Sequence, residues 1–252
     1  MTVASFQPDG TETVENALLG GRVRLRQPAR GYRAGMDAAL LAAAVAAEPG
    51  QRVIEAGCGA GAVLMQIAAR RPGLTLTGLE RDPAMAALAR DNATLNGAAA
   101  TLVTGDVAAG FRALDLPPFD WAVSNPPFFD DPGALRAPSP GKRGAWMADD
   151  GLEAWTDFLL KAVREGGRIV VIHRADRLAD LLALLGPKAG SFAVRGIHPY
   201  ADEPAKRVLV SAVKTGKAPL RLLPPLVLHD RSGAKHTMEA EAILRGEAGL
   251  GW

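Results

Sequence analysis

The chain has 252 residues, of which 48% are hydrophobic and 22% charged, and its formal net charge is +2. This composition excludes a disordered chain and is typical of one globular domain with extensions. Cys58 is the single cysteine, which excludes an internal disulfide framework and a multi-cysteine zinc site. No apolar run reaches membrane-spanning length, so we expect a cytoplasmic protein that does not use a membrane. With one cysteine and four scattered histidines, we also expect no metal site.

Charge is distributed unevenly along the chain. The arginines before residue 50 all fall in one window without an acidic residue, and they are Arg22, Arg24, Arg26, Arg30 and Arg33. Residues 161–221 carry 12 basic and 5 acidic residues. Two basic segments around a near-neutral middle predict a polyanion-binding surface, with ordinary surface solvation as the alternative.

The predicted elements begin with a hairpin over residues 12–27, which turns at Gly20-Gly21, and an alanine-rich helix over residues 37–47. From residue 52 onward, short apolar strands alternate with helical patterns. The predicted strands are residues 52–56, 74–79, 101–104, 120–124 and 168–173, and the predicted helices are residues 62–70, 83–95, 152–164 and 177–185. Such alternation predicts right-handed crossovers and a parallel sheet covered on both faces.

Two more strands complete the predicted sheet. Residues 192–198 and 207–213 are separated by too few residues for a helical crossover, so they should pair antiparallel at the sheet edge. The predicted fold class is therefore α/β, with a mostly parallel seven-stranded sheet and an antiparallel edge strand.

Three segments follow from this assignment. We expect a basic hairpin-and-helix extension over residues 1–50, a core domain over residues 51–215, and an appendage over residues 216–252 that packs on the same domain and ends in a short helix. Residues 130–150, rich in proline and glycine, predict a long loop of functional importance.

The first core strand leads into a glycine-rich loop. Gly57, Gly59 and Gly61 have Gly-x-Gly-x-Gly spacing, and Glu55 precedes them by two residues. Nicotinamide-binding loops have two residues between the second and third glycine and bind a pyrophosphate, which Glu55 would repel. A carboxylate there can instead pair with a cationic amino-acid group. The loop favours S-adenosylmethionine as cofactor, with a tight turn that binds nothing as the alternative, and Cys58 in it is interpreted as a space-filling residue.

Acidic residues follow the next two strands. Glu80 is placed to accept hydrogen bonds from both ribose hydroxyls of the cofactor, whereas Asp82 is expected to cap the helix that Pro83 opens. Asp106 is a candidate acceptor for the adenine amino group, or alternatively a helix N-cap. Acids at the ends of successive strands form a more specific pattern than any one of them alone.

The fourth strand runs into Asn125-Pro126-Pro127-Phe128. Two prolines hold the chain extended, so the Asn125 amide oxygen and main-chain carbonyls can point rigidly into a cleft. A conjugated amino nitrogen is a poor nucleophile, and two acceptors on its hydrogens favour the pyramidal geometry in which its lone pair can attack a methyl group. Phe128 can stack on a planar substrate. A proline-rich turn without chemistry is the alternative.

These motifs resemble those of the Rossmann-type S-adenosylmethionine-dependent amino-methyltransferases. More narrowly, the flanking sequences LGGRVRLRQPARGYRAGMDAALLAAAV, KRVLVSAVKTG, LPPLVLHD and HTMEAEAILRG resemble the bacterial tRNA1(Val) adenine-37 N6-methyltransferase family over nearly the whole chain. The resemblance implies a class I methyltransferase fold, transfer to the exocyclic N6 of an adenine beside the anticodon, and Asn125, Pro126, Pro127 and Phe128 as the catalytic motif. Family members often carry tyrosine at the position of Phe128.

The flanking basic residues complete the prediction. Arg22, Arg24, Arg26, Arg33, Lys206 and Arg207 are candidate RNA-binding residues that would meet phosphates, and the solvent face of an amphipathic hairpin is the alternative for the arginines. Tyr32, Arg33 and Asp37 are candidates to cover the cofactor, with helix capping as the alternative for Asp37. His173 and His198 are interpreted as structural.

The leading hypothesis is thus methylation of tRNA. Ribosomal RNA guanine-N2 methylases share NPPF and release-factor glutamine methylases share NPPY, so both remain alternative activities. A catalytically inactive RNA-binding module is the alternative of another class. The sequence leaves the oligomeric state open.

Overall fold

The computed structural model describes residues 4–6, 12–30, 34–127, 151–231 and 233–252. Its helices are α1 (Met36–Ala43), α2 (Ala62–Arg70), α3 (Pro83–Leu95), α4 (Gly151–Ala162), α5 (Leu178–Leu185) and α6 (Met238–Arg245). Its strands are β1 (Ala4–Phe6), β2 (Glu12–Leu18), β3 (Val23–Pro28), β4 (Arg52–Ala56), β5 (Thr75–Glu80), β6 (Ala100–Thr104), β7 (Phe119–Ser124), β8 (Val163–Arg174), β9 (Ala189–His198), β10 (Arg207–Lys214), β11 (Arg221–Leu222) and β12 (Leu226–Val227).

The central sheet confirms the predicted α/β fold class. Its strand order is β11-β9-β10-β8-β7-β4-β5-β6, and the two-residue β12 also pairs with β9. The strands β4 to β8 are mutually parallel, whereas β10 is antiparallel to both β8 and β9. The reversed strand β10 therefore lies between β8 and β9 and not at the sheet edge as predicted, because it pairs with both of them. Within the described residues the sheet has nine strands where seven are predicted, because the two-residue strands β11 and β12 also pair with β9.

Helices cover both faces of the sheet, as the alternating pattern predicts. Val53, on β4, packs into a buried apolar cluster with residues of α1 and α2. Ile54, the next residue on the strand, packs on the opposite face with residues of α4 and α5. Consecutive side chains of a strand point to opposite faces, so a strand covered on both sides must be apolar throughout.

The hairpin before the core forms a small antiparallel sheet of β1, β2 and β3. Val23 and Leu25 are fully buried, whereas Arg24 between them is exposed. This alternation confirms the predicted hairpin and directs one of its faces onto the core. The strand β1 extends it beyond the predicted pair.

The C-terminal segment packs on α1. The Leu250 amide donates to the Ala43 carbonyl at 2.9 Å, and the Trp252 indole donates to the Ala44 carbonyl at 2.7 Å. The helix predicted over residues 37–47 ends at Ala43, where the C-terminal segment donates these two hydrogen bonds to carbonyls at the helix end. Among the helices of the described ranges, none combines the length and the apolar character needed to cross a bilayer.

Candidate active site

The candidate site lies at the carboxyl edge of the parallel strands. Glu55 lies on β4 just before the glycine loop, Glu80 ends β5, Asp106 follows β6 and Asn125 follows β7. Because β4, β5, β6 and β7 are adjacent and parallel, their carboxyl ends meet on one side of the sheet. Ligands of open α/β sheets bind outside this edge. The fold thus brings the predicted cofactor residues and the start of the Asn-Pro-Pro motif to one edge.

The glycine loop requires its glycines. Gly57, Gly59 and Gly61 have φ angles of 69°, 53° and 83°, in the region that side chains disfavour. At Gly57 there is also no space, because an added Cβ would lie 2.4 Å from the Trp155 indole. The backbone conformation of the loop therefore favours glycine at all three positions, and at Gly57 the packing of Trp155 also requires it.

Glu80 fixes the loop from the neighbouring strand. Its Oε2 accepts from the Gly59 amide at 2.9 Å and its Oε1 accepts from the Asp82 amide at 2.9 Å. The amides of Gly57 and Cys58 both donate to the Leu79 carbonyl, at 2.8 and 2.9 Å. A carboxylate has about four lone-pair sites, so Glu80 retains acceptor capacity for the predicted ribose hydroxyls.

Glu55 is a buried acid with an unsatisfied oxygen. The side chain is 2% exposed, and its Oε2 has no hydrogen-bond partner among the described residues. Burial, followed by the charge of Glu80, raises the pKa of Glu55 well above its usual value, while a hydrogen bond from the Leu64 amide acts in the opposite direction. An unpartnered buried carboxylate oxygen fits the cationic amino group of S-adenosylmethionine.

The two aspartates after β5 and β6 act as caps. Asp82 Oδ1 accepts from the Ala84 amide at 2.8 Å, which confirms its predicted role at the start of α3. Asp106 Oδ1 accepts from the Ala108 amide at 3.0 Å and caps a short 3-10 helix. The capping alternative for Asp106 is therefore present in the structure, and its contact with adenine stays a prediction.

The start of the Asn-Pro-Pro motif is held against the glycine loop. Ser124 is fully buried, and its hydroxyl donates to the Ala56 carbonyl at 3.0 Å, immediately before Gly57. Asn125 and Pro127 are partly buried and Pro126 is buried. Phe128, the last residue of the predicted motif, lies outside the described residues, as do Tyr32, Arg33 and the predicted loop 130–150.

His173 lies behind this motif. The ring is buried on β8 and burial lowers its pKa, while a hydrogen bond to the Pro127 carbonyl acts in the opposite direction. His198 Nδ1 lies 2.7 Å from the Glu203 carbonyl, within its own loop. Both contacts agree with the structural interpretation of these histidines.

Cys58 has the properties of a packing residue. Its side chain is 5% exposed, and burial, followed by the charges of Glu55 and Glu80, raises the pKa of its thiol. A Cβ added at Gly78 on β5 would lie 2.7 Å from its Sγ. A thiol that resists ionisation is a poor nucleophile, which supports the interpretation of Cys58 as a space-filling residue.

Most of the candidate RNA-binding arginines have protein partners. Arg22 donates to the Gly246 carbonyl at 2.8 Å, beyond the end of α6. Arg24 and Arg26 both pair with Glu15, at 2.8 and 3.2 Å. The contact of these residues with RNA stays a prediction.

The second basic group lies at the start of β10. Arg207 pairs with Asp37 at 3.0 Å, which connects β10 to the first turn of α1, and Lys206 next to it is exposed. Among the residues the structure describes, no group of histidine, cysteine and acidic residues forms a candidate metal site.

Sequence motifs do not identify Asn92 or Trp155, each of which contacts the glycine loop. Asn92 is fully buried in α3 and donates to the Ala60 carbonyl at 2.9 Å. Asparagine is unfavourable inside a helix, and this is the only sequence signal for it. Trp155 lies against Gly57 through tertiary packing, which leaves no local sequence pattern.

Comparison with known proteins agrees with this geometry. Residues 33–136 match the family described as the methyltransferase small domain. The chain is 27% identical over 195 residues to a tRNA1(Val) (adenine(37)-N6)-methyltransferase of Dickeya chrysanthemi, covering 76% of each chain. A release factor glutamine methyltransferase of Deinococcus radiodurans is 37% identical over 86 residues, or 34% of this chain and 29% of that protein. The crystal structure of a predicted O-methyltransferase, Atu636 of Agrobacterium tumefaciens, has a TM-score of 0.70 and 29% identity, covering 85% of this chain and 98% of that one.

The sheet topology, the glycine loop and the matched domain together define a class I S-adenosylmethionine-dependent methyltransferase. Within this class, residues 33–136 match the methyltransferase small domain, and the chain is similar to proteins named tRNA1(Val) (adenine(37)-N6)-methyltransferase.

Proposed function

We propose that this enzyme methylates the exocyclic N6 amino group of an adenine in tRNA, at the position corresponding to the anticodon-loop adenine of its relatives. The observation that carries the proposal is the hydrogen bond from Ser124 to the Ala56 carbonyl, which joins the strand leading into Asn125 to the strand leading into Gly57. Similarity to a tRNA adenine methyltransferase over 76% of the chain supports the choice of substrate.

In the proposed cofactor site, Glu55 pairs with the amino-acid end of S-adenosylmethionine and Glu80 with its ribose hydroxyls. Gly57, Gly59 and Gly61 allow the close approach, and Asp106 lies at the end of β6 for the adenine. The bound cofactor supplies an electrophilic methyl group on a sulfonium.

The substrate amino group is held at Asn125. Its side-chain oxygen and a carbonyl of the Pro126-Pro127 segment accept the two N–H hydrogens, which favours a pyramidal nitrogen whose lone pair can attack the methyl carbon. The N–H proton becomes acidic once the nitrogen is alkylated, so no strong general base is required. In the proposal Phe128 stacks on the substrate base, and such stacking contributes about 1–3 kcal/mol.

RNA binding in the proposal uses the basic residues around the site. Arg24 and Arg26 can leave Glu15 and pair with a phosphate instead, because exposed ion pairs contribute little to stability. Lys206 and Arg207 extend the positive surface at the start of β10. Arg33, outside the described residues, stays a predicted RNA contact. An anticodon loop already presents splayed bases, which lowers the cost of bringing one into a cleft.

A glutamine amide of a release factor is the second candidate substrate. Its nitrogen is conjugated in the same way as the adenine amino group, and the chain is 37% identical over 86 residues to a release factor glutamine methyltransferase. That match extends over only 34% of the chain, which favours the tRNA substrate.

Methyl labelling distinguishes these substrates. The purified protein is incubated with S-adenosylmethionine labelled in the methyl group and, separately, with tRNA, ribosomal RNA and a release factor, and the digested products are identified by mass spectrometry. We expect N6-methyladenosine from tRNA. Methylguanosine from ribosomal RNA, methylglutamine, an O-methyl product, or no transfer to any acceptor would each refute the proposal.

A further inference from the structure

Asn92 occupies a junction between three elements. It lies in the last turn of α3 and is fully buried. Its Oδ1 accepts from the Arg26 amide at 2.8 Å, and its Nδ2 donates to the Arg26 carbonyl at 2.8 Å. The same Nδ2 donates to the Ala60 carbonyl at 2.9 Å. One side-chain amide thus joins α3, the hairpin strand β3 and the glycine loop.

Asn96, one helical turn later, binds the same strand in the same way. Its Oδ1 accepts from the Arg24 amide at 2.9 Å, and its Nδ2 donates to the Arg24 carbonyl at 2.7 Å. The two asparagines therefore pair with β3 as peptide groups of a neighbouring strand would. The third hydrogen bond of Asn96 is to the Asn92 carbonyl at 2.7 Å and stays within the helix.

The third hydrogen bond of Asn92 acts on the cofactor loop. Ala60 lies between Gly59 and Gly61, both at positive φ, and besides the bond from Asn92 its peptide group has the hydrogen bond from the Gly61 amide to the Cys58 carbonyl at 2.8 Å. On the opposite side, Glu80 accepts from the Gly59 amide. Asn92 and Glu80 together hold the loop from two sides, and only Asn92 also holds the hairpin.

We propose that Asn92 is a positioning residue that couples the N-terminal hairpin to the cofactor loop, so that ordering of either one stabilises the other. This inference depends on the proposed function, because it takes residues 57–61 to bind the cofactor and β3, through Arg24 and Arg26, to face the RNA. The coupling is physical: a shift of β3 displaces the amide that orients the Ala60 carbonyl, and a buried amide has no water to replace that bond.

The two asparagines provide a matched pair of variants. Asn92→Asp and Asn96→Asp each keep the acceptor for a β3 amide and replace the donor nitrogen by an oxygen that faces two carbonyls. In Asn92→Asp one of these carbonyls belongs to the glycine loop, whereas in Asn96→Asp both lie outside it. We expect calorimetry to show S-adenosylhomocysteine affinity about five- to tenfold weaker in Asn92→Asp and changed less than about twofold in Asn96→Asp. Both variants should have lower melting temperatures.

A measurement on the wild-type protein covers the case in which Asn92→Asp does not fold. Hydrogen exchange followed by mass spectrometry should show that S-adenosylhomocysteine slows exchange in residues 23–28 as well as in the glycine loop, and more than in residues 189–194 on β9, which lies beyond β10 in the sheet. Equal loss of affinity in both variants, or protection of residues 23–28 no greater than that of residues 189–194, would overturn the coupling alone. Failure of the wild-type protein to bind S-adenosylhomocysteine would refute the proposed function together with the coupling.

Discussion

At the scale of single residues, Glu55 shows how a binding site can act against stability. Its carboxyl group is buried beside a second acid and has an oxygen without a partner in the described part of the chain. A buried carboxylate that lacks a cation costs free energy in the folded protein. The protein retains it because, in the proposed function, a cationic amino group supplies the missing partner.

We expect Glu55→Gln to have opposite effects on stability and on cofactor binding. Because the pKa of Glu55 is raised in the folded state, its ionisation lowers the free energy of unfolding as pH increases from the unfolded value of about 4.3 through the folded value. The amide should remove this loss and stabilise the protein by about 1–3 kcal/mol at pH 8. It should also weaken S-adenosylhomocysteine binding.

Denaturant titrations of both proteins at pH 4.5 and pH 8, together with calorimetry, measure these effects. Glu55→Asp serves as the control that keeps the charge. The account is wrong about Glu55 if the amide variant has the same pH dependence of stability as the wild type and binds the ligand equally well.

Residue types alone anticipated much of the site, but not its internal contacts. The acids and Asn125 were predicted at strand ends because parallel strands terminate at one edge, and the sheet places them there. Trp155 was not anticipated, since its contact with Gly57 joins residues almost a hundred positions apart. Asp106 was ambiguous because the same side chain can cap a short helix and bind a ligand.

At the scale of elements, the ends of helices and strands are predictable where glycine or proline marks them. The helices α2 and α3 and the strand β4 have their predicted limits, because Gly61 and Pro83 define helix starts and β4 stops at the glycine loop. The sequence does not predict the order of β9 and β10 in the sheet. A short connection shows that two strands pair, but not which of them joins the parallel sheet.

The arginines of the hairpin β2–β3 are predicted to contact RNA phosphates. In the double variant Arg24→Gln/Arg26→Gln we expect weaker tRNA binding and a smaller salt dependence, because each lost phosphate contact removes roughly 0.7–0.9 from the slope of log K against log salt concentration. Filter binding or fluorescence anisotropy at several salt concentrations gives that slope.

The control is Lys161→Gln. Lys161 is also partly exposed and paired with an acid, Asp157, but it lies at the last turn of α4, away from the hairpin. A slope unchanged in the double variant, or reduced equally in the control, would exclude the hairpin arginines from the RNA-binding surface.

At the scale of the whole molecule, hydrogen bonds connect the C-terminal segment to α2 and to the N-terminal hairpin. Arg70 in α2 donates to the Ala248 carbonyl at 2.8 Å and also to the Ile243 carbonyl of α6. Arg22 in the hairpin turn donates to the Gly246 carbonyl at 2.8 Å. We therefore propose that the predicted segments 1–50, 51–215 and 216–252 unfold as one cooperative unit. The premature end of α1 at Ala43 belongs to the same arrangement, and no local signal marks it.

Leu250→Ala tests this cooperativity. Leu250 is 5% exposed against the core, and truncation of a buried leucine costs about 2–5 kcal/mol. We expect one unfolding transition, shifted to lower temperature and coincident by near-ultraviolet and far-ultraviolet circular dichroism. The exposed Leu222→Ala is the control and should leave the midpoint almost unchanged. A separate early transition confined to the tail or the hairpin would show that the segments are independent.

The proposed chemistry depends on Asn125 accepting a hydrogen bond from the amino nitrogen that receives the methyl group. The most direct measurement compares wild type and Asn125→Ala in single-turnover methyl transfer to tRNA and in S-adenosylhomocysteine affinity. We predict a transfer rate lower by about 10²- to 10³-fold, with affinity for S-adenosylhomocysteine changed by less than about twofold. Transfer at the wild-type rate in Asn125→Ala would contradict the claim.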